Sequence, residues 1–249
     1  SLGNIMGANF VNITLALGLV ILLAQGIKTE TKTPKKDAWI IFFLALLPIL
    51  LALDGLLSRI DGVILLMFFT WYITRLLSRQ KEEIPDKVDS VKQNVHYFKK
   101  LVQDLIRFVL GLGILLVSSW GVVWSATAIA EQLGVSLLLI GLILLAIGTT
   151  LPEISFGLRS VWMKHEAMTL GNFIGSVAFN ALFVLGLVAL ISPIIIQDVF
   201  LLANIGFFLF LALTVFNVFI RTKDHLSYKE GLILVGLYVF FLTVQVFIR

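Results

Sequence analysis

One acidic residue, Glu153, lies deep inside a long apolar stretch of this 249-residue chain, in the run AIGTTLPEISFGL from Ala146 to Leu158. A charged carboxylate at the centre of a bilayer helix costs about 2.5–3.5 kcal/mol on insertion scales, so its default reading is functional. No Arg or Lys lies deep in a span to pair with it. Two roles are open: cation ligand or proton carrier. The surrounding residues are costly in the same way. Pro152 removes a backbone donor and frees carbonyls near residue 148. Gly148 loosens the same turn. Thr149 and Thr150 can satisfy the freed groups or present hydroxyl oxygens.

The next apolar segment carries Asn172, Ser176 and Asn180. Their i, i+4, i+8 spacing places them on one face of a helix. A matching stretch near the start of the chain holds Asn4, Ala8 and Asn12 at the same spacing. Gly171-x-x-x-Gly175 and Gly3-x-x-x-Gly7 are expected to permit close helix approach. The polar stripe by itself is equally compatible with packing between helices. Its presence twice, once directly after the acidic helix, favours an ion site. Every candidate ligand is an oxygen, which suits hard cations such as Ca²⁺, Na⁺ and Mg²⁺. All three histidines, His96, His165 and His225, fall in linkers, which argues against an imidazole relay or a transition-metal cage within the membrane. With no cysteine in the chain, thiolate metal sites, disulfides and thiol catalysis are excluded.

The elements that must position these residues are membrane helices. Hydrophobic residues make up 59% of the chain, charged residues 14%, and the mean hydropathy is +1.02. A soluble domain carries about 25% charge, so neither a soluble nor a disordered chain fits. A bilayer crossing needs about 20 apolar residues. Eight such segments occur, at about 3–27, 38–56, 60–79, 101–130, 134–160, 169–192, 197–220 and 228–248. The expected fold is therefore an all-α membrane protein. The one long charged linker runs from Gln80 to Lys100, and its Val88, Val91, Val95 and Phe98 recur at helical spacing.

With eight spans, alternate linkers face opposite sides. Of the 19 Lys and Arg residues, all but Arg59 and Arg249 then fall on one side. By the positive-inside rule that side is cytoplasmic. The linkers at 28–37, 80–100, 160–168 and 221–229 are expected there, which suits a multi-pass protein of the inner (cell) membrane. The net charge of +4 gives no sign of a nucleic-acid partner.

Residues 1–24 and 169–192 align without gaps and share 10 identities, among them every Gly and Asn of the pattern G-N-x-x-G-x-x-x-x-N. Leu57-Ser58 with Asp61-Gly62 likewise matches Leu226-Ser227 with Glu230-Gly231. The chain is two copies of one unit. The boundaries are a first repeat of three helices at 1–79, a linker at 80–100, and a second repeat of five helices at 101–249. An odd number of helices per unit forces the copies into opposite orientations, the inverted repeat of many secondary transporters. The count predicts a ten-helix bundle of which eight helices are present. About two helices, roughly 60–70 residues, are expected before Ser1.

These motifs resemble the cation/Ca²⁺ exchanger superfamily, which includes the sodium/calcium exchanger membrane proteins. Its two inverted alpha-repeats carry G-T-S-L-P-E on one helix and G-N-x-x-G-S-N-x-x-N/D on the next. Gly148 to Glu153 matches the first motif, with Thr150 in the Ser position. Gly171 to Asn180 matches the second, with Val177 for Asn. Gly3 to Asn12 matches it in the other repeat, with Ala8 for Ser. The resemblance implies that Glu153 binds Ca²⁺ together with a Glu of the first repeat, which would precede Ser1. It implies further hydroxyl and carbonyl ligands at Ala146, Thr149, Thr150 and Ser176, and side chains at Asn12 and Asn180. Several members have Asp where Asn180 stands, so the neutral amide lowers the site's charge here. The short linker implies a compact prokaryotic type without cytosolic sensing domains.

The implied activity is secondary antiport of Ca²⁺ against Na⁺ by alternating access, by a monomer in the bilayer, with no cofactor beyond the transported ions. The long helix at about 101–130 would slide across the core. Coupling to H⁺ and transport of other divalent cations are the alternatives. An intramembrane enzyme is disfavoured, since H-E-x-x-H, G-x-S-x-G and a second intramembrane acid are absent. A non-transporting assembly partner is the remaining reading for the chain as it stands.

Overall fold

The structure is a computed structural model that describes residues 2–29, 32–83, 146–196, 199–222 and 225–247, with scattered positions between 103 and 128. Its helices are α1 (Leu2–Val11), α2 (Leu17–Leu23), α3 (Lys32–Leu51), α4 (Arg59–Glu83), α5 (Ala146–Trp162), α6 (Glu166–Ala178), α7 (Leu185–Ile191), α8 (Val199–Thr222) and α9 (Tyr228–Phe247). Four two-residue strands lie between them: β1 (Ile27–Lys28), β2 (Leu56–Leu57), β3 (Ile194–Ile195) and β4 (His225–Leu226). Residues 1–73 and 150–249 form one compact unit, and 74–149 form a second. In the second unit every described position from 103 to 128 is helical, in keeping with the span read at 101–130. Residues 134–145 of the next span lie outside the described residues.

Among the described residues six helical segments are long and apolar enough to cross a bilayer: Leu2–Leu23, Asp37–Asp54, Arg59–Ser78, Glu166–Ile191, Leu202–Thr222 and Tyr228–Gln245. Each coincides with a span expected from hydropathy. Three details differ. Two spans read as plain helices are each broken by a wider π-helical turn, at Asn12–Ala16 and Phe179–Val184. The third helix does not stop at residue 79. Arg79-Gln80-Lys81-Glu82-Glu83 are good helix formers, and α4 runs through them to Glu83, just short of Ile84-Pro85. The close helix approaches are not made by the G-x-x-x-G pairs. A Cβ placed on Gly7, Gly171 or Gly175 would meet nothing within 4 Å among the described residues.

The close approaches fall at another set of glycines, and they obey the repeat. Gly62 on α4 faces Gly186 on α7: a Cβ on Gly62 would lie 2.7 Å from the Gly186 carbonyl oxygen. Gly18 on α2 faces Gly231 on α9, and a Cβ on either would lie 3.1 Å from the other's carbonyl oxygen. Gly18 and Gly186 are equivalent in the two copies, as are Gly62 and Gly231. Each repeat therefore lends a helix to the other through the same glycine contact. In lipid no hydrophobic force draws helices together, so backbone approach at small residues is what binds them.

The linkers repeat the pattern. β1 pairs antiparallel with β4, with Ile27 opposite Leu226. β2 pairs with β3, with Leu57 opposite Ile194. Lys28 N–H also donates to Glu166 Oε2 at 3.1 Å. The linkers around 28, 166 and 225 thus share one end, and those around 56 and 195 are joined to each other. Three of the four linkers grouped by their basic residues are thus brought together, while residues 84–100 of the fourth lie outside the described residues. The Leu-Ser-x-x-acid-Gly match is a helix-starting box in both copies. Ser58 N–H donates to Asp61 Oδ2 at 2.8 Å, and Ser227 N–H donates to Glu230 Oε2 at 2.5 Å. Swapped glycine pairs, swapped strand pairs and matched caps define an inverted-repeat helical bundle.

Candidate functional site

The π-turns sit where the repeats present their asparagines. Leu17 N–H reaches back five residues to the Asn12 carbonyl, and Leu185 N–H does the same to Asn180. A π-turn widens the helix and turns side chains away from α-helical positions, and such turns are frequent at functional sites. Both here lie at equivalent points of the two copies, so the distortion belongs to the repeat.

Between these turns a polar group links the repeats. Asn12 Nδ2 donates to Ser176 Oγ at 3.2 Å. Asn180 Nδ2 donates to Asn9 Oδ1 at 3.1 Å. Asn9 Nδ2 donates to the Val177 carbonyl at 3.3 Å. Asn9 and Asn12 are buried, Asn9 completely. Each of the two amides expected as ligands spends its N–H₂ end on a protein acceptor. Its oxygen, Oδ1, carries the lone pairs that suit a hard cation. Three of the expected residues, Asn12, Ser176 and Asn180, are thus brought together, with Asn9 as a fourth. Asn4 is exposed and Asn172 half-buried; among the described residues neither joins the bonded group.

Asn9 is absent from the expected ligand set. The search for asparagines shared by both copies passes over it, because Val177 is its counterpart. The second family motif, G-S-N-x-x-N, holds the signal that could have flagged it: Asn9 stands at the first Asn after Gly7-Ala8.

Glu153 lies on α5, which continues as an α-helix through Pro152. Thr150, Ile154, Gly157 and Ser160 form a buried stripe along this helix. One turn beyond Glu153, Gly157 docks the helix. A Cβ there would lie 3.0 Å from Val20 Cγ2 and 3.3 Å from Phe173 Cε2. Thr169 Oγ1 donates to the Gly157 carbonyl at 3.1 Å. α5 is therefore seated against α2 and α6, the helices that continue from or lead into the two π-turns. The Oε2 atom of Glu153 is buried and has no hydrogen-bond partner among the described residues. A carboxylate oxygen left so is expensive unless something else takes its lone pairs. Ala146 and Thr149 begin α5, and their side chains lie outside the described residues. No set of three His, Asp or Glu side chains gathers among the described residues. The oxygen donors on offer are one carboxylate with amides and hydroxyls.

Two inverted repeats meet at paired helix distortions, with a carboxylate oxygen left unpartnered on the adjoining helix, which is the build of an inverted-repeat membrane protein. The chain belongs to the sodium/calcium exchanger protein family, whose sequence pattern matches residues 1–77 and 104–247. CaxA of Alkalimonas amylolytica is 34% identical over 199 residues, covering 79% of this chain and 62% of that protein. The chain thus spans less than two thirds of that relative's length. The sodium/calcium exchanger MaX1 of Methanosarcina acetivorans is 25% identical over 284 residues, covering 99% of this chain and 80% of that protein. Among solved structures, the sodium-calcium exchanger NCX_Mj soaked with 10 mM Na⁺ and zero Ca²⁺ superimposes with a TM-score of 0.74 at 27% identity. That match covers 96% of this chain and 75% of NCX_Mj.

Proposed function

We propose that the protein is a secondary antiporter that moves Ca²⁺ across the membrane in exchange for Na⁺, at one oxygen-lined site centred on Glu153. The observation that carries this reading is the buried, unpartnered Oε2 of Glu153. A hard cation supplies the missing partner. The free amide oxygens of Asn12 and Asn180 and the hydroxyls of Thr150 and Ser176 are the companion ligands, with Ala146 and Thr149 contributing from the start of α5. Ca²⁺ takes six to eight oxygens at about 2.3–2.6 Å, so several weak donors around one carboxylate suit it. Two ions that need the same carboxylate cannot occupy it together, and that competition is the basis of exchange.

The inverted repeat supports alternating access, since swapping the conformations of the two copies turns an outward-open arrangement into an inward-open one. The protein works as a monomer in the inner membrane, with the basic linkers at 28–37, 80–100, 160–168 and 221–229 on the cytoplasmic face. It makes and breaks no covalent bonds and has no nucleic-acid partner. MaX1 and NCX_Mj are named as sodium/calcium exchangers, which lends weight to Na⁺ as the coupling ion.

The experiment is calcium uptake by the full-length protein in lipid vesicles. An outward Na⁺ gradient is expected to drive uptake, and Glu153→Gln to abolish it. Uptake that follows only a pH gradient replaces Na⁺ by H⁺ as the coupling ion. Uptake that survives in Glu153→Gln rejects the site.

A further inference from the structure

We propose that the exposed face of the α3–α8 pair binds an anionic phospholipid of the cytoplasmic leaflet, with Arg221 holding the phosphate and the aromatic cluster around Trp39 lying against the acyl chains.

The ends of the two spans set the depth. The span on α3 begins at Asp37 and the span on α8 ends at Thr222. Trp39 and Arg221 therefore stand at the bilayer surface, on the side of the basic linkers. Lys35 and Lys36 shortly precede Trp39 in sequence, and Lys223 follows Arg221 by two residues. Both side chains suit this level, since each has an apolar body and a polar tip. They also meet: the Arg221 guanidinium carbon lies 5.0 Å from the centroid of the Trp39 ring. A guanidinium resting on a ring keeps its in-plane N–H donors free, and those fit two oxygens of one phosphate. Among the described residues no carboxylate pairs with Arg221. Asp37, the acid nearest to Trp39 in sequence, is buried.

Below the headgroup level the same helices offer a firm apolar face. Trp39 stacks on Phe42 at 5.4 Å, and Phe43 stands edge-on to both at 5.3 Å. Phe42 reaches Phe210 of α8 at 5.5 Å. Trp39, Phe43 and Phe210 stay 44%, 57% and 47% exposed, so the face is open to lipid. One turn before Arg221, Asn217 Nδ2 donates to the Ala38 carbonyl at 3.2 Å and to the Leu213 carbonyl at 2.9 Å. That contact pins α3 to α8, and a face already in place loses little freedom on binding.

Exposed aromatics alone would suit any membrane helix. The repeat separates this face from that general case. Counting back from the matched Leu57 and Leu226, Arg221 corresponds to Ala52 and Trp39 to Phe208. Both counterparts are buried. The fold thus closes at the other end of these helices without a cation or an indole. The Arg221–Trp39 pair stands at the end where anionic headgroups of the cytoplasmic leaflet meet the protein.

The test uses the full-length protein, delipidated in a neutral detergent, with its melting midpoint read as lipid is added. Phosphatidylglycerol is expected to raise the midpoint by several degrees, and phosphatidylcholine with the same acyl chains to raise it far less. Glycerol 3-phosphate, a phosphate without acyl chains, is expected to leave it unchanged. Arg221→Gln is expected to lose most of the phosphatidylglycerol rise. Arg159→Gln, an exposed arginine on α5, is expected to keep it. If Arg221→Gln does not fold, Trp39→Leu takes its place, and its rise is expected to fall clearly below the parent's. Equal rises from the two lipids overturn the proposal, as does an undiminished rise in the Arg221 or Trp39 variant. An equal loss in Arg159→Gln overturns it in favour of general charge attraction. A rise with glycerol 3-phosphate as large as with lipid makes this a free-phosphate site instead. A dimer in phosphatidylcholine that Arg221→Gln splits gives the face to a second copy and overturns the lipid.

Discussion

Asn9 and Val177 hold the same position in the two repeats, and they touch: the Asn9 amide donates to the Val177 carbonyl at 3.3 Å, 168 residues away. A residue in contact with its own repeat mate must lie at the pseudo-two-fold axis. The amides expected to serve the ion, Asn12 and Asn180, flank that contact one turn on. The seam between the copies therefore carries one of these amides from each repeat.

The buried oxygen of Glu153 leads to an opposite pair of effects. Replacing the carboxylate with an amide removes the charge from a group whose buried Oε2 has no hydrogen-bond partner among the described residues. Glu153→Gln is expected to melt no lower than the parent without calcium. The parent should gain about 2.7 kcal/mol of stability at calcium a hundredfold above its dissociation constant, and the variant should gain nothing. Melting curves of the full-length protein with and without calcium check both.

The glycine pairs predict where a single methyl group is not tolerated. In Gly62→Ala the new Cβ meets the Gly186 carbonyl oxygen at 2.7 Å and the Leu190 nitrogen at 2.9 Å, both backbone atoms that cannot swing away. A loss of about 1–3 kcal/mol is expected. Gly7→Ala meets nothing within 4 Å among the described residues and should be near neutral. Thermal midpoints of the two variants, compared side by side, decide this.

The helix-starting boxes predict small, independent losses. Asp61→Ala removes the acceptor for Ser58 N–H and for Ser58 Oγ, which donates at 2.7 Å. Glu230→Ala removes the acceptor for Ser227 N–H. Each should cost about 1 kcal/mol. The two boxes begin helices in different repeats, so the double variant should show the sum.

Asn12 and Ser176 should behave as a coupled pair across the repeats. Asn12→Ala and Ser176→Ala each leave the other's polar atom without its partner. A double-mutant cycle on stability should give a coupling of about 1 kcal/mol, and strict additivity would contradict the bond.

Much of this was legible because it rests on composition and short-range spacing. Spans follow from runs of apolar residues, the grouping of linkers from the placement of Lys and Arg, and the caps from Ser58 and Asp61 three residues apart. The glycines show the limit of that approach. Gly3/Gly7 and Gly171/Gly175 have the right spacing on one helix, but spacing does not say what a helix faces. The approaches fall at Gly62/Gly186 and Gly18/Gly231, whose meaning appears only when the copies interlock. The π-turns were hidden because Ile13, Leu15 and Leu182 suit an α-helix as well as a wider turn. Asn9 was missed because a comparison of repeats rewards identity, and its counterpart is Val177.

The claim at the centre is that the Glu153 carboxylate grips a transported cation together with neighbouring amide and hydroxyl oxygens. Anomalous diffraction from crystals of the full-length protein soaked in strontium tests it directly. A peak about 2.3–2.6 Å from Glu153 Oε2, and within reach of the amide oxygens of Asn12 or Asn180, is the expected result. Absence of any peak beside Glu153, or a Glu153 side chain turned toward lipid, would contradict it.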